Sequence, residues 1–218
     1  MIQINDRLLR ASKIFIARTT PVVATRQLSA ANPSGDVVQI IDQLGRDHRN
    51  MRLLLDIIEE EMTAYGDGRV PDFDLLRMIA EYTLDYPDLV HHPKEDLVFE
   101  RLVSRDSGAK AVIGHLIQEH KELSELTRRF VAAINDAARD VELPREWLDS
   151  LAREYLLANR MHMETEEKHF FPRALTMLTD EDWAEIEQNA AHTDDPIFGK
   201  TVAETYLILY ERILMLRG

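Results

Sequence analysis

The chain has 218 residues, enough for one well-buried core plus extensions. Its 39 acids against 26 bases give a net charge of −13, which argues against nucleic acid or an anionic membrane as the main partner. Cysteine is absent, so disulfides, iron–sulfur clusters and thiolate zinc sites are excluded, leaving histidine and carboxylate as metal ligands.

Residues 1–35 form a basic N-terminal extension, with Arg7, Arg10, Lys13, Arg18 and Arg26 against the one acid Asp6 in the first 30 residues. Such a start fits either an organelle transit peptide, which would place the protein in an organelle matrix, or a helical extension docking on a neighbouring subunit. Without cleavage the expected compartment is cytoplasmic. No run of 18 apolar residues exists. The most apolar stretch, 201–217, is interrupted by Glu204, Glu211 and Arg212, so no membrane span is expected.

The Asn32-Pro33-Ser34-Gly35 loop precedes Asp36, a helix-capping residue. The first helix follows, with Val37, Ile41, Leu44, His48, Met51, Leu55, Ile58, Met62 and Tyr65 on one seam and a stop at Gly66-Asp67-Gly68. Asp72 opens a second helix to about residue 104. Leu84, His91, Glu95, Val98 and Leu102 share its face, and Pro87 and Pro93 predict a bend or bulge near the histidines. The third seam runs Ala109, Ile113, Leu116, His120, Leu123, Thr127, Phe130, Ile134 and Ala137. Leu143-Pro144 starts the fourth, with Leu148, Leu151, Tyr155, Ala158 and His162, and Phe170-Phe171-Pro172 closing it.

A short helix over 181–190 and an amphipathic one over 196–216 complete the chain. The latter needs burial on the bundle or on a second copy, which makes a homodimer an expectation. Strand-type alternation is absent. The fold class is all-α: an up-down-up-down antiparallel four-helix bundle over 36–175, with N- and C-terminal helical extensions over 1–35 and 176–218.

In such a bundle His48, His91, His120 and His162 lie the same distance from the connecting turns to within one or two residues, about 1.5–3 Å of rise. Four core slots at one depth therefore hold imidazole. Two of the histidines begin a His-x-x-x-Glu, His91 with Glu95 and His162 with Glu166, and an i, i+4 pair aims both side chains at one point. Buried without a cation, those glutamates would cost several kcal/mol or be forced to protonate. Two carboxylates reaching the centre from diagonal helices can bridge two ions while histidines cap each ion from outside, a better fit to a dinuclear site than to a single zinc.

Other polar residues have simpler readings. His115 lies off its seam and His192 in a polar loop, both facing solvent; His169, on the helix-4 seam, reads as rim or second layer. Glu164, Glu167 and the run Glu59-Glu60-Glu61 read as solvated faces. Tyr82, Tyr86 and Tyr155 read as core packing, and Phe170 and Phe171 as bundle closure.

Arg-Asp-His48-Arg-Asn-Met, His91-His92-Pro-Lys-Glu95-Asp, Glu119-His120-Lys-Glu-Leu and His162-Met-Glu-Thr-Glu166-Glu-Lys-His-Phe-Phe-Pro together resemble the hemerythrin family, in its bacterial cation-binding form. The resemblance covers about residues 36–175. It implies a non-haem di-iron site bridged by Glu95 and Glu166, with His48, His91, His120 and His162 as terminal ligands. Zinc and manganese remain compatible with the donor set. Oxygen carriers of the family place two histidines one turn apart on the third helix, where this chain has Leu116 before His120. His92 restores the count of five if the bulge at Pro93 turns it inward; a regular helix would point it about 100° off the seam.

The function this implies is binding or sensing of dioxygen or a related small oxidant, a binding role before an enzymatic one. The alternatives are an iron-homeostasis, nitric oxide or oxidative-stress protein, then a di-iron oxidase or peroxidase, then a zinc-filled structural bundle.

Overall fold

The computed structural model describes residues 39–191 and 193–217. The expected cap Asp36, the N-terminal extension and His192 lie outside the described residues. Those residues are helical with turns between, and no strand occurs among them.

Helix α1 spans Gln39–Gly66 and ends where Gly68 takes φ 92, a left-handed conformation that glycine adopts without a Cβ clash. Asp72 caps α2 (Phe73–Tyr86) by accepting from the Leu75 amide at 3.0 Å. A π turn, Pro87–His91, joins α2 to α3 (His92–Arg105) without a break. Helix α4 covers Lys110–Ala137, and α5 (Arg145–Thr165) follows Pro144. A second π turn, Glu166–Phe170, joins α5 to α6 (Phe171–Met177). A Thr179/Asp182 capping box starts α7 (Asp180–Asn189).

The bulge expected on the second helix is the first π turn; the second π turn was not foreseen. Each closes with an amide bonding five residues back, His92 to Pro87 and Phe171 to Glu166. In both, a proline comes next, Pro93 or Pro172. Proline has no N–H, and its ring collides with the carbonyl four residues back in a regular helix, so widening the turn just before it relieves the conflict.

Helix α1 packs on α5 and α2, and α4 on α2, α3 and α5, closing a ring of rods. The apolar core inside has two parts. One holds Leu54, Ile58, Tyr82, Phe130 and Tyr155; the other holds Leu44, Phe99, Leu116 and Phe170. On three rods the site histidine falls between the stretches feeding the two parts, and on the fourth His162 sits at the end of the first stretch, beside its last member Met163. A polar layer thus interrupts the oil.

The last helix is shorter than expected. The stretch 196–203 is non-helical, a 3-10 turn covers Glu204–Tyr206, and α8 covers only Leu207–Arg217. Leu209 and Ile213 are buried and α8 packs on α2, while Ile208, Leu214 and Met215 stay exposed. The glutamate run is not merely a solvated face. Glu59 accepts from Arg160 at 2.8 Å, Glu60 from Arg217 at 2.9 Å, and Glu61 from the Asp72 amide at 2.9 Å, tying α1 to three other elements. No described helix is long and apolar enough to cross a membrane.

Candidate metal centre

His48, His91, His120 and His162 all point into the polar layer. His48 and His91 bring their Nε2 atoms to 3.2 Å of each other. Glu95 Oε1 lies 3.2 Å from His91 Nε2 and 3.6 Å from His48 Nε2, and Glu166 Oε2 lies 3.4 Å from His48 Nε2. The other two carboxylate oxygens face the opposite way. Glu95 Oε2 is 3.4 Å from His120 Nε2, and Glu166 Oε1 is 3.5 Å from His120 Nε2 and 3.2 Å from His162 Nε2. His92 joins this second group, its ring stacked on His120 at 4.1 Å. Two donor sets result, His48-His91-Glu95 and His92-Glu95-His120-His162, the donor atoms of each within 4.8 Å of one another.

The π turn ahead of Pro93 places His92 here, where a regular helix would have turned it away. The other π turn removes His169. With one extra residue in the turn, the inward position two turns past His162 passes to Phe170, which is buried on Phe99, and His169 faces solvent. His169 is therefore no part of the site's rim. Phe171 stacks on the His48 ring at 5.4 Å.

Glu95 and Glu166 are wholly buried, and among the described residues none of their four oxygens has a hydrogen-bond partner; neither has His120 Nε2. The contacts of 3.2–3.6 Å put lone pairs beside one another without a donor aimed between them. Ligands about 2.1 Å from a common ion stand roughly 3.0–3.5 Å apart along a coordination edge, so these spacings suit donors converging on cations.

The far nitrogen of each imidazole turns to a carboxylate. His48 Nδ1 reaches Glu167 at 3.1 Å, His91 reaches Asp47 at 3.2 Å, and His162 reaches Glu119 at 2.9 Å. His92 lies 3.3 Å from Asp88, and His120 lies 3.7 Å from Asp96. An acceptor at Nδ1 fixes the tautomer that leaves Nε2 free to ligate. Sequence reasoning missed these five acids and misread Glu167 as a solvated face. The adjacent pairs Asp47-His48 and Glu119-His120, and Asp88 four residues before His92, were the available signals.

Electrostatics follow from this crowding. Burial pushes the His48 imidazole down, but Glu166, Glu167 and Glu95 outweigh it and hold its pKa well above the usual value. Burial likewise opposes the neighbouring acids at His120, which is raised to about 11. Burial raises Glu95, and His91, His120 and His48 overcome it, leaving Glu95 well below the carboxylate range. The carboxylates demand positive charge at this point, and protons or cations can supply it.

A chamber of about 30 Å³ abuts the layer. His48, His91, His92 and His162 contribute to its wall, opposite Met51, Leu55 and Met163 and the hydroxyl-bearing Thr83, Thr127 and Tyr155. Burial pushes the Tyr155 phenol up to about 12, so its hydroxyl stays protonated.

Residues 39–174 match the family model described as the hemerythrin HHE cation-binding domain. The chain belongs to the hemerythrin family. Comparison with curated proteins returns no significant match. A hemerythrin-type domain binds metal cations, and the clustered His and Glu side chains are the donors such a role needs.

Proposed function

We propose that this hemerythrin-type protein holds two iron ions and uses them to bind or sense dioxygen or a related small oxidant. The supporting observation is the orientation of the four carboxylate oxygens: Glu95 and Glu166 each offer one oxygen to either histidine set, and all four are buried and unpartnered. Under this reading His48 and His91 would hold one ion and His92, His120 and His162 the other, with Glu95 and Glu166 shared between them. Mixed imidazole and carboxylate donors suit iron, with zinc and manganese the competitors.

Ferrous ions so held supply the electrons for taking up an oxidant. The chain's own residues do the rest. The chamber has room for one small molecule. Met51, Leu55 and Met163 exclude bulk water, and the Tyr155, Thr83 and Thr127 hydroxyls offer hydrogen bonds. The same reading takes the rods to run alternately up and down, supported by the order in which each visits the two halves of the core.

The test is metal analysis of protein purified without a nickel column, followed by exposure of the reduced, iron-loaded protein to air. Two irons per chain and a new visible absorption band are expected. One zinc per chain would overturn the dinuclear assignment, and two irons with no spectral change would overturn the oxidant-binding role.

A further inference from the structure

The wall around the centre is uneven. The His48, Glu95 and Glu166 side chains are 0% exposed and His91 2%, whereas His162 shows 7%, His120 9% and His92 14%. The thin side is the three-histidine side. There a groove of about 460 Å³ between α4 and α5 reaches His162 from solvent.

The groove is net negative. Glu119, Glu122, Glu125 and Glu154 line it, and Arg129 is its one base, 3.8 Å from Glu154. His162 and Leu123 line both this groove and the chamber, so they form the partition between the two. The chamber contains one carboxylate, Asp88, engaged by Ser124 at 2.6 Å and His92 at 3.3 Å. A nearly neutral space and an acidic one thus meet at a single imidazole. Directly behind that ring, 3.2 Å from its Nε2, lies the unpartnered Glu166 Oε1.

We infer that metal cations enter and leave the centre through the α4/α5 groove, past the imidazole of His162. This inference rests on the reading that the buried cluster holds metal, and it adds the route. Acids are graded inward: Glu122 and Glu125 at the mouth, Glu119 at the throat, Glu166 behind the ring. Glu119 holds His162 Nδ1 with one oxygen and the exposed His115 with the other, each at 2.9 Å. A carboxylate shared with a surface side chain can follow the His162 ring as it swings aside, and it keeps an oxygen on the passing cation. Like-signed grooves raise the local concentration of the opposite ion and speed its arrival, and salt weakens the effect.

The experiment is stopped-flow uptake of Co²⁺ by the metal-free full chain, followed by Co²⁺ absorption. It compares the parent with Glu122→Gln/Glu125→Gln and with a charge-matched control, Glu142→Gln/Glu146→Gln, on the α4–α5 connection and the start of α5. The groove variant should load about tenfold more slowly at low salt. It should show a weaker salt dependence than the parent and reach the same final cobalt content. Equal rates in all three proteins would overturn the route, as would equal slowing by the control. A lower final content in the groove variant would overturn it too, because those acids would then belong to the binding site. No cobalt uptake by the parent would overturn the metal reading itself together with the route.

Discussion

Glu167 and Glu166 adjoin in sequence and grip opposite edges of one ring: Glu167 accepts from His48 Nδ1 at 3.1 Å, while Glu166 Oε2 stands 3.4 Å from His48 Nε2. Arg52 holds both Glu167 oxygens, at 2.7 and 2.8 Å. Burial raises the Glu167 carboxyl, and His48 and Arg52 overcome it to bring its pKa to about 2, so it stays anionic and keeps orienting the ring. Replacing Glu167 with Gln retains the shape and removes the charge. Metal affinity at the His48-His91 position should fall about 10- to 100-fold. Competition with a chromophoric chelator measures this, and an unchanged affinity would strip Glu167 of that role.

Glu95 shares an oxygen with each donor set. Glu95→Gln should therefore weaken both positions together. The parent's melting temperature should climb with added metal, by the equivalent of about 4 kcal/mol per bound ion at a free concentration a thousand times Kd. The variant's should hardly move. Thermal melts with and without metal distinguish the two outcomes.

Asp182 clips α7 to α3. It accepts from Arg105 at 2.8 and 2.9 Å and from the Thr179 amide at 3.0 Å, and the Arg105 hydrogen bonds are the main reason its pKa lies below the ordinary aspartate value. A lowered folded pKa means that the stabilisation is complete above the unfolded value of about 3.9 and is lost as pH falls through the lower folded one. The stability gap between parent and Asp182→Asn should be widest above about pH 4 and close in stronger acid. Hydrogen exchange of the α7 amides across that range reads it out, and a gap that grew on acidification would refute the assignment.

Tyr82 donates to Asp195 Oδ2 at 2.9 Å, while Oδ1 takes the Ile197 and Phe198 amides at 2.8 and 2.9 Å. Tyr82→Phe leaves a buried oxygen without that donor and should cost about 1–3 kcal/mol in urea melts. Tyr82 is not among the residues lining the chamber, so metal content should be unchanged.

Much of this architecture was legible in the residues themselves. The seams located the histidines because a helix repeats every 3.6 residues, and the glutamates one turn on followed from the same period. The stop near Gly68 and the cap at Asp72 lay within a residue or two of the observed ends. The outer acids Asp47, Asp88, Asp96, Glu119 and Glu167 do not show in the seam pattern, because each is off the seam by helical phase and meets its imidazole from the side. Lys94, buried with its Nζ unpartnered among the described residues, was hidden for the same reason. His169 was misplaced because phase counting assumes a regular helix across Glu166–Phe170, and the π turn breaks that assumption. The span of the last helix was overread because Ile197 is apolar and buried, yet the chain there is held by Asp195 turns rather than by helical bonds.

The π turns at Pro87–His91 and Glu166–Phe170 also set the facing of every residue that follows them in their rods. Winding either window as an ordinary helix at unchanged length would rotate everything downstream by about 100°. At the first this would carry Glu95 out of the interior, and at the second it would return His169 to the place Phe170 holds. A one-residue deletion inside either window removes the extra residue together with the widened turn and leaves the downstream facing unchanged, whereas a deletion elsewhere in the same rods turns it by about 100°.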